Sequence, residues 1–239
     1  MKIIYGLFLV GLVLGCSTEK KEPVVAPEAG FNLALSDPAA IQLADSVMQA
    51  LGGRSNWDKI RFITWKSQDG LTTYYWDKSK RRARMEDGIN NSVTLINLAN
   101  GTTRVAVNGS ENPANAAAAN AAFSRALYSL ALPFLTKSQN FSLLYMGEDT
   151  LARQRYNSLV LVPKDSAEGR YKLFVDKTAK LVRYWSYYPA AAAPAEFILP
   201  FDNYEKQSDI LFSGNRSAGQ GPTSIKVETE LADKLFTEF

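Results

Sequence analysis

The 239-residue chain contains no histidine and a single cysteine, Cys16. Those two shortages remove the Ser-His-Asp triad, the Cys-His pair, the imidazole general base, zinc sites built on His or Cys, and a His-ligated haem. One thiol cannot form an intrachain disulfide. An excess of one charge is missing as well: 27 Lys and Arg stand against 24 Asp and Glu, a formal net charge of +3. That excess is too small for the concentrated basic face that nucleic-acid binding requires, so no nucleic-acid partner is expected. What remains is a globular composition, 46% hydrophobic, 21% charged and 11% aromatic, sufficient for a packed core.

The chemistry still open is that of carboxylate pairs, a lysine nucleophile, a Ser-Lys pair or an oxygen-ligated metal. Glu86 and Asp87 are neighbours on an expected strand and point to opposite faces, which rules out a glycosidase dyad. Asp202, Glu205 and Asp209 lack the alternating spacing of a calcium loop. There is no G-x-S-x-G elbow, and the glycines of GNRSAGQG, residues 214–221, precede no expected helix that would present N–H groups to a phosphate. No catalytic residue, metal or cofactor is assigned, and the chain is read as a non-enzyme.

The one long apolar run lies at the N-terminus, where Lys2 precedes Ile3 to Leu14 in the layout of a secretory signal. It is shorter than the roughly 20 residues of a membrane-spanning helix. Val13-Leu14-Gly15-Cys16 resembles the lipobox of bacterial lipoproteins, with the sole cysteine at the position that lipidation requires. The resemblance implies a signal peptide over residues 1–15 and a Cys16 carrying a diacylglyceryl thioether and an N-acyl chain such as palmitate. Stable attachment to a membrane would follow. Residues 16–37, rich in charge, proline and small side chains, read as a flexible tether, and residues 38–239 as one folded domain.

Within that domain, Ser36-Asp37-Pro38 is a helix start, with a side-chain cap and proline at the first position. Ile41, Ala44, Val47, Met48 and Leu51 recur at helical spacing before Gly52-Gly53 stops the helix. From Ile60 the period changes to two. Expected strands are 61–67, 71–76, 80–86, 93–99 and 102–107, the last two joined at Asn100-Gly101 by a type I′ hairpin turn. Asn112-Pro113 opens a second helix through an alanine-rich run, with Phe123, Leu127, Leu130 and Phe134 on one side and Pro133 at its end or kink. Alternation resumes over 141–147, 154–162, 171–176, 181–188, 196–206, 210–213 and 224–230. The expected fold class is α+β: a large curved antiparallel sheet, an unclosed β-barrel, with an N-terminal helix and an inserted helix covering one side.

Two side-chain groups draw notice. Lys80, Arg81, Arg82 and Arg84 form a basic cluster with two readings, a solvated strand that discourages edge pairing or a contact for an anionic head group or acidic partner. Trp65, Tyr74, Tyr75, Trp76, Tyr184, Trp185, Tyr187 and Tyr188 crowd into strands. They read either as core or as the wall of an apolar space between sheet and helix. Trp65, Trp76, Leu127, Leu130, Phe134 and Tyr184 are the residues expected to line such a space.

The opening helix ending in Gly-Gly, residues 44–53, and the Tyr171–Arg183 strand-Asp-Lys-turn-strand unit resemble the LolA/LolB/LppX-like bacterial lipoprotein carriers, across most of residues 38–239. The resemblance implies a half-barrel under helices whose cavity takes acyl chains. The soluble periplasmic carrier of that family is not lipidated, so Cys16 points to an anchored member. In place of that family's lid helices stands the alanine-rich segment 113–132. The expected function is a membrane-anchored lipoprotein of the bacterial cell envelope, at the outer membrane, binding a lipid or acyl chain for lipid or lipoprotein trafficking. The alternative is an envelope lipoprotein with a filled core that meets a protein partner.

Overall fold

A computed structural model describes residues 27–164, 169–190 and 192–239. The expected signal peptide, Cys16 and the first part of the expected tether, residues 1–26, lie outside the described residues.

Helix α1, Pro38–Ala50, begins with proline at its first turn and buries Ala40, Leu43, Ala44, Val47 and Met48 along one stripe. The expected side-chain cap is not made. Asp37 Oδ2 instead accepts from the Tyr145 N–H at 2.9 Å, and Ser36 Oγ accepts from the Leu143 N–H at 3.0 Å. The end of the segment read as tether is therefore docked on the fold, with Phe31 buried and the Glu28 N–H donating to the Lys137 carbonyl at 3.1 Å. A short second helix, α2 (Arg54–Lys59), carries the buried Trp57. It was not foreseen, because six residues are too few to display a helical period.

The strands follow in one run. They are β1 (Phe62–Lys66), β2 (Thr72–Asp77), β3 (Arg82–Asp87), β4 (Ser92–Asn97), β5 (Thr103–Val107) and β6 (Ser110–Asn112). Helix α3, Ala116–Ala131, comes next, and its Asn115 cap accepts from the Ala118 N–H at 3.0 Å. Pro133 falls in a 3₁₀ turn, Leu132–Phe134, that ends the helix. A second run contains β7 (Phe141–Leu151), β8 (Gln154–Pro163), β9 (Arg170–Asp176), β10 (Val182–Tyr188) and β11 (Phe197–Pro200). Then come β12 (Tyr204–Gln207), β13 (Ile210–Ser213) and β14 (Thr223–Glu228).

The architecture is the expected α+β one, antiparallel and open, but the strands divide into three sheets where one was expected. Their orders are β14-β1-β2-β3-β4-β5-β6, β11-β10-β9-β8-β7 and β12-β13. The insertion of α3 separates the first two. The expected strand 196–206 breaks after Pro200, which has no N–H to continue a ladder, and Asn203 at φ 51° turns the chain into β12. The β4–β5 hairpin forms as expected, but its turn is not type I′. The connection is longer, with the Asn97 N–H donating to the Thr102 carbonyl and the Gly101 N–H to the Asn97 carbonyl, and of Asn100 and Gly101 only Gly101 has positive φ.

The core lies between α1, α2, the 3₁₀ turn and the inner faces of the two large sheets. Trp57 stacks on Phe134 at 4.3 Å between ring centroids. Among the described residues no helix is long and apolar enough to cross a membrane.

Candidate functional site: a groove between the inserted helix and the five-stranded sheet

Helix α3 lies against β4, β5 and β13. Phe123, Leu130 and Ala131 are buried on its core side, and Asn120 Nδ2 donates to the Gly101 carbonyl at 2.8 Å, tying the helix to the β4–β5 connection. Ala117, Ala121, Ser124, Arg125 and Tyr128 recur at helical spacing along another face. That face borders a cavity of about 1190 Å³ whose opposite wall is the five-stranded sheet. Short side chains at 117, 121 and 124 leave the space open where leucines would have filled it.

The sheet wall is aromatic. Tyr171 of β9, Trp185 and Tyr187 of β10, and Phe197 and Leu199 of β11 line it. The register pairs Tyr187 with both Tyr171 and Phe197, and Trp185 with Leu199, so these side chains share one face. Tyr171 and Trp185 stack at 6.2 Å, Trp185 and Phe197 meet at 4.9 Å, and Tyr128 of α3 reaches the edge of Tyr171 at 5.4 Å. Gly169 permits this arrangement: it adopts φ +58°, and a Cβ there would stand 2.4 Å from the Tyr188 carbonyl and 2.8 Å from the Tyr187 hydroxyl.

Polar groups gather at the rim and behind the wall. Arg125, Lys164 and Glu196 border the cavity and are exposed. Trp185 is 7% exposed, and its Nε1–H is a buried donor without a partner among the described residues. An unpaired buried donor costs about 1–3 kcal/mol. Behind Trp185 lies Arg216, 2% exposed. Its guanidinium donates to Ser213 Oγ at 2.8 Å and the Ser129 carbonyl at 2.6 Å, and sits 3.6 Å from the Phe201 ring centroid and 5.8 Å from that of Trp185. Among the described residues it has no ion-pair partner; Asp202 acts on it only at longer range, and burial pulls its pKa down to about 9.

None of the six residues expected to line a ligand space borders this cavity. Trp65, Trp76, Leu130 and Phe134 are buried in the core and Leu127 is packed against it. Tyr184 points to the opposite face of β10, where it meets Tyr156 edge-on at 5.8 Å. Two residues that line the cavity are immediate neighbours of expected ones: Tyr128 follows Leu127 and Trp185 follows Tyr184. Strand alternation distinguishes Trp185 and Tyr187 from Tyr184 and Tyr188, but which set faces the helix depends on how the second sheet lies, and that is not written in the period.

The other candidates are occupied by structural work. Arg82 bonds Asp77 and Asp233, and Arg84 bonds Glu86 and donates to the carbonyls of Leu235 and Glu238, so the basic cluster holds the C-terminal segment. Asp87 accepts from the Ile89 and Asn90 N–H groups of a turn. Asp202 accepts from the N–H and hydroxyl of Ser217, and Asp209 pairs with Lys206.

No family model and no curated protein sequence matches the chain. Among solved structures, a DUF1329 family protein from Desulfovibrio piger superposes with a TM-score of 0.52 at 16% identity, over 84% of this chain and 98% of that one. A putative outer membrane lipoprotein-sorting protein domain from Vibrio parahaemolyticus gives 0.45 at 11% identity, over 81% and 97% of the two chains. A LolA superfamily protein from Nitrosomonas europaea gives 0.46 at 12%, over 82% and 97%. The likeness to the DUF1329 family protein, at 16% identity, is one of fold.

Proposed function

We propose that the groove between α3 and the five-stranded sheet holds a lipid or acyl chain, and that the protein is a lipoprotein anchored through Cys16 in the bacterial cell envelope, at the outer membrane. The observation that carries the first part is the cavity itself. At about 1190 Å³ it exceeds the roughly 300–1,000 Å³ of common small-molecule sites, and its floor is a continuous row of aromatic side chains. Each methylene laid on such a floor gains about 0.8 kcal/mol. The anchor rests on the lipobox-like Val13–Cys16 and on the likeness of the sequence to lipoprotein carriers.

A second reading, an envelope lipoprotein that meets a protein partner, draws on the packing of Trp57 against Phe134 and the burial of Trp65 at the centre of the fold.

Native mass spectrometry with lipid extraction, on protein purified from bacterial membranes, separates the two. The expected result is a co-purifying lipid near one-to-one, lost in Ala121→Trp, which puts an indole into the groove from an exposed helix position. A folded protein that carries no lipid favours the partner reading.

A further inference from the structure

The groove is not uniformly greasy, and its polar groups are unbalanced. Among the described residues, two cations, Arg125 and Lys164, stand at its edge against one carboxylate, Glu196. Neither cation has an ion-pair partner among the described residues. The register puts Lys164, just past the end of β8, at the same end of the sheet as Tyr171 and Tyr187, while Trp185 and Leu199 lie two residues further in. Lys164 thus stands at a mouth that opens onto a deeper apolar floor, and Arg125 lines the same groove from α3. Within the wall, the indole N–H of Trp185 lacks an acceptor. Behind that ring the buried Arg216 guanidinium is held by a hydroxyl and carbonyls, with no ion-pair partner among the described residues and Asp202 acting on it only at longer range. A cation solvated by neutral dipoles keeps its field, and the low-dielectric wall screens it poorly.

We propose that the occupant is an amphiphile with an anionic head group, a carboxylate or a phosphate, whose chain lies on Trp185, Phe197 and Leu199 while its head sits between Arg125 and Lys164. The inference rests on the lipid-binding reading and narrows it to one class of lipid. Glu196 sets the orientation by repelling the head from the β11 side, toward the two cations.

The test is calorimetric titration of the purified full chain with decanoate, decyl phosphate, decanol and decyltrimethylammonium below their micelle concentrations, with inorganic phosphate as the chain-free probe. Decanoate or decyl phosphate should bind about tenfold more tightly than decanol, with the cationic amphiphile weakest and inorganic phosphate not detectably bound. The ranking of the two anions identifies the head group. The double variant Arg125→Gln, Lys164→Gln, both at exposed positions where folding is not at stake, should bring the anionic ligands down to the level of decanol and leave decanol unchanged. Glu196→Gln should strengthen anion binding and leave decanol unaltered. Equal affinity for decanoate and decanol overturns the head-group inference while leaving the lipid reading in place. Binding of inorganic phosphate as tight as decyl phosphate overturns the amphiphile. No binding of any chain-bearing ligand overturns the inference together with the reading beneath it.

Discussion

Gly52 ends α1 at φ +116°, and a Cβ built there would lie 2.1 Å from the Asp209 carbonyl oxygen. The approach is that close because the Leu211 N–H donates to the Leu51 carbonyl at 2.9 Å, joining the helix end to β13. Gly53, at φ +86°, has its nearest neighbour, Gln49 Oε1, at 3.4 Å from a Cβ. Gly52→Ala should therefore cost about 2–4 kcal/mol in urea unfolding and Gly53→Ala about 1 kcal/mol, the second reflecting backbone conformation alone. Lys78 offers a second test. Burial lowers its ammonium pKa from 10.5 to about 7, with Arg54 reinforcing the shift and Asp58 and Glu28 opposing it. Its Nζ donates to the Trp57 carbonyl at 2.5 Å, a bond that the neutral amine also makes. In the unfolded chain the amine stays protonated up to about 10.5, so between pH 7 and that value the unfolded state binds more protons. Stability then rises with pH. Unfolding free energy should increase by about 2 kcal/mol from pH 7 to 9 in the unsubstituted protein and stay flat in Lys78→Met.

At the scale of elements, the C-terminal segment after β14 is a strap across the outer face of the seven-stranded sheet. Asp233 pairs with Lys80 at 2.7 Å and Arg82 at 2.8 Å, and Phe236 stacks on Phe62. The two cations hold the Asp233 carboxyl well below the usual carboxylate range. A depressed carboxylate pKa stabilises the docked strap above the unfolded value of 3.8, and that stabilisation is lost as pH falls below it. Asp233→Asn should speed amide exchange in residues 229–239 at neutral pH while leaving the Trp185 region unchanged, and high salt should act in the same direction. Elements with a long period were legible in the sequence. The α1 stripe, the β-meanders and the α3 segment all stand where their patterns placed them. What was not legible is what depends on a partner in space: Asp37 turned from capping its own helix to pairing with β7, and Arg82 and Arg84 found the strap about 150 residues away. Local spacing carries no record of such contacts.

For the whole molecule, the open α+β architecture could be read from the order of periods, whereas the location of the groove could not. The alanines of α3 read as helix formers. Only when the second sheet is set opposite them does their small size become a cavity, and only then do Trp185 and Tyr187 acquire a role distinct from Tyr184. The aromatic surplus read from the sequence, Trp65, Tyr74, Tyr75, Trp76, Tyr184, Trp185, Tyr187 and Tyr188, is divided by the fold: Trp65 and Trp76 are buried in the core, while Trp185 and Tyr187 line the groove. The central claim is that lipid occupies the groove on the α3–β10–β11 side and not the core. The most direct measurement is cross-linking with a photoreactive fatty acid in intact cells, followed by peptide mapping. Adducts are expected on peptides containing Tyr128, Tyr171, Tyr187 or Phe197, diminished in Ala121→Trp. Adducts confined to peptides containing Trp65 or Trp76, or spread without preference over the surface, would contradict it.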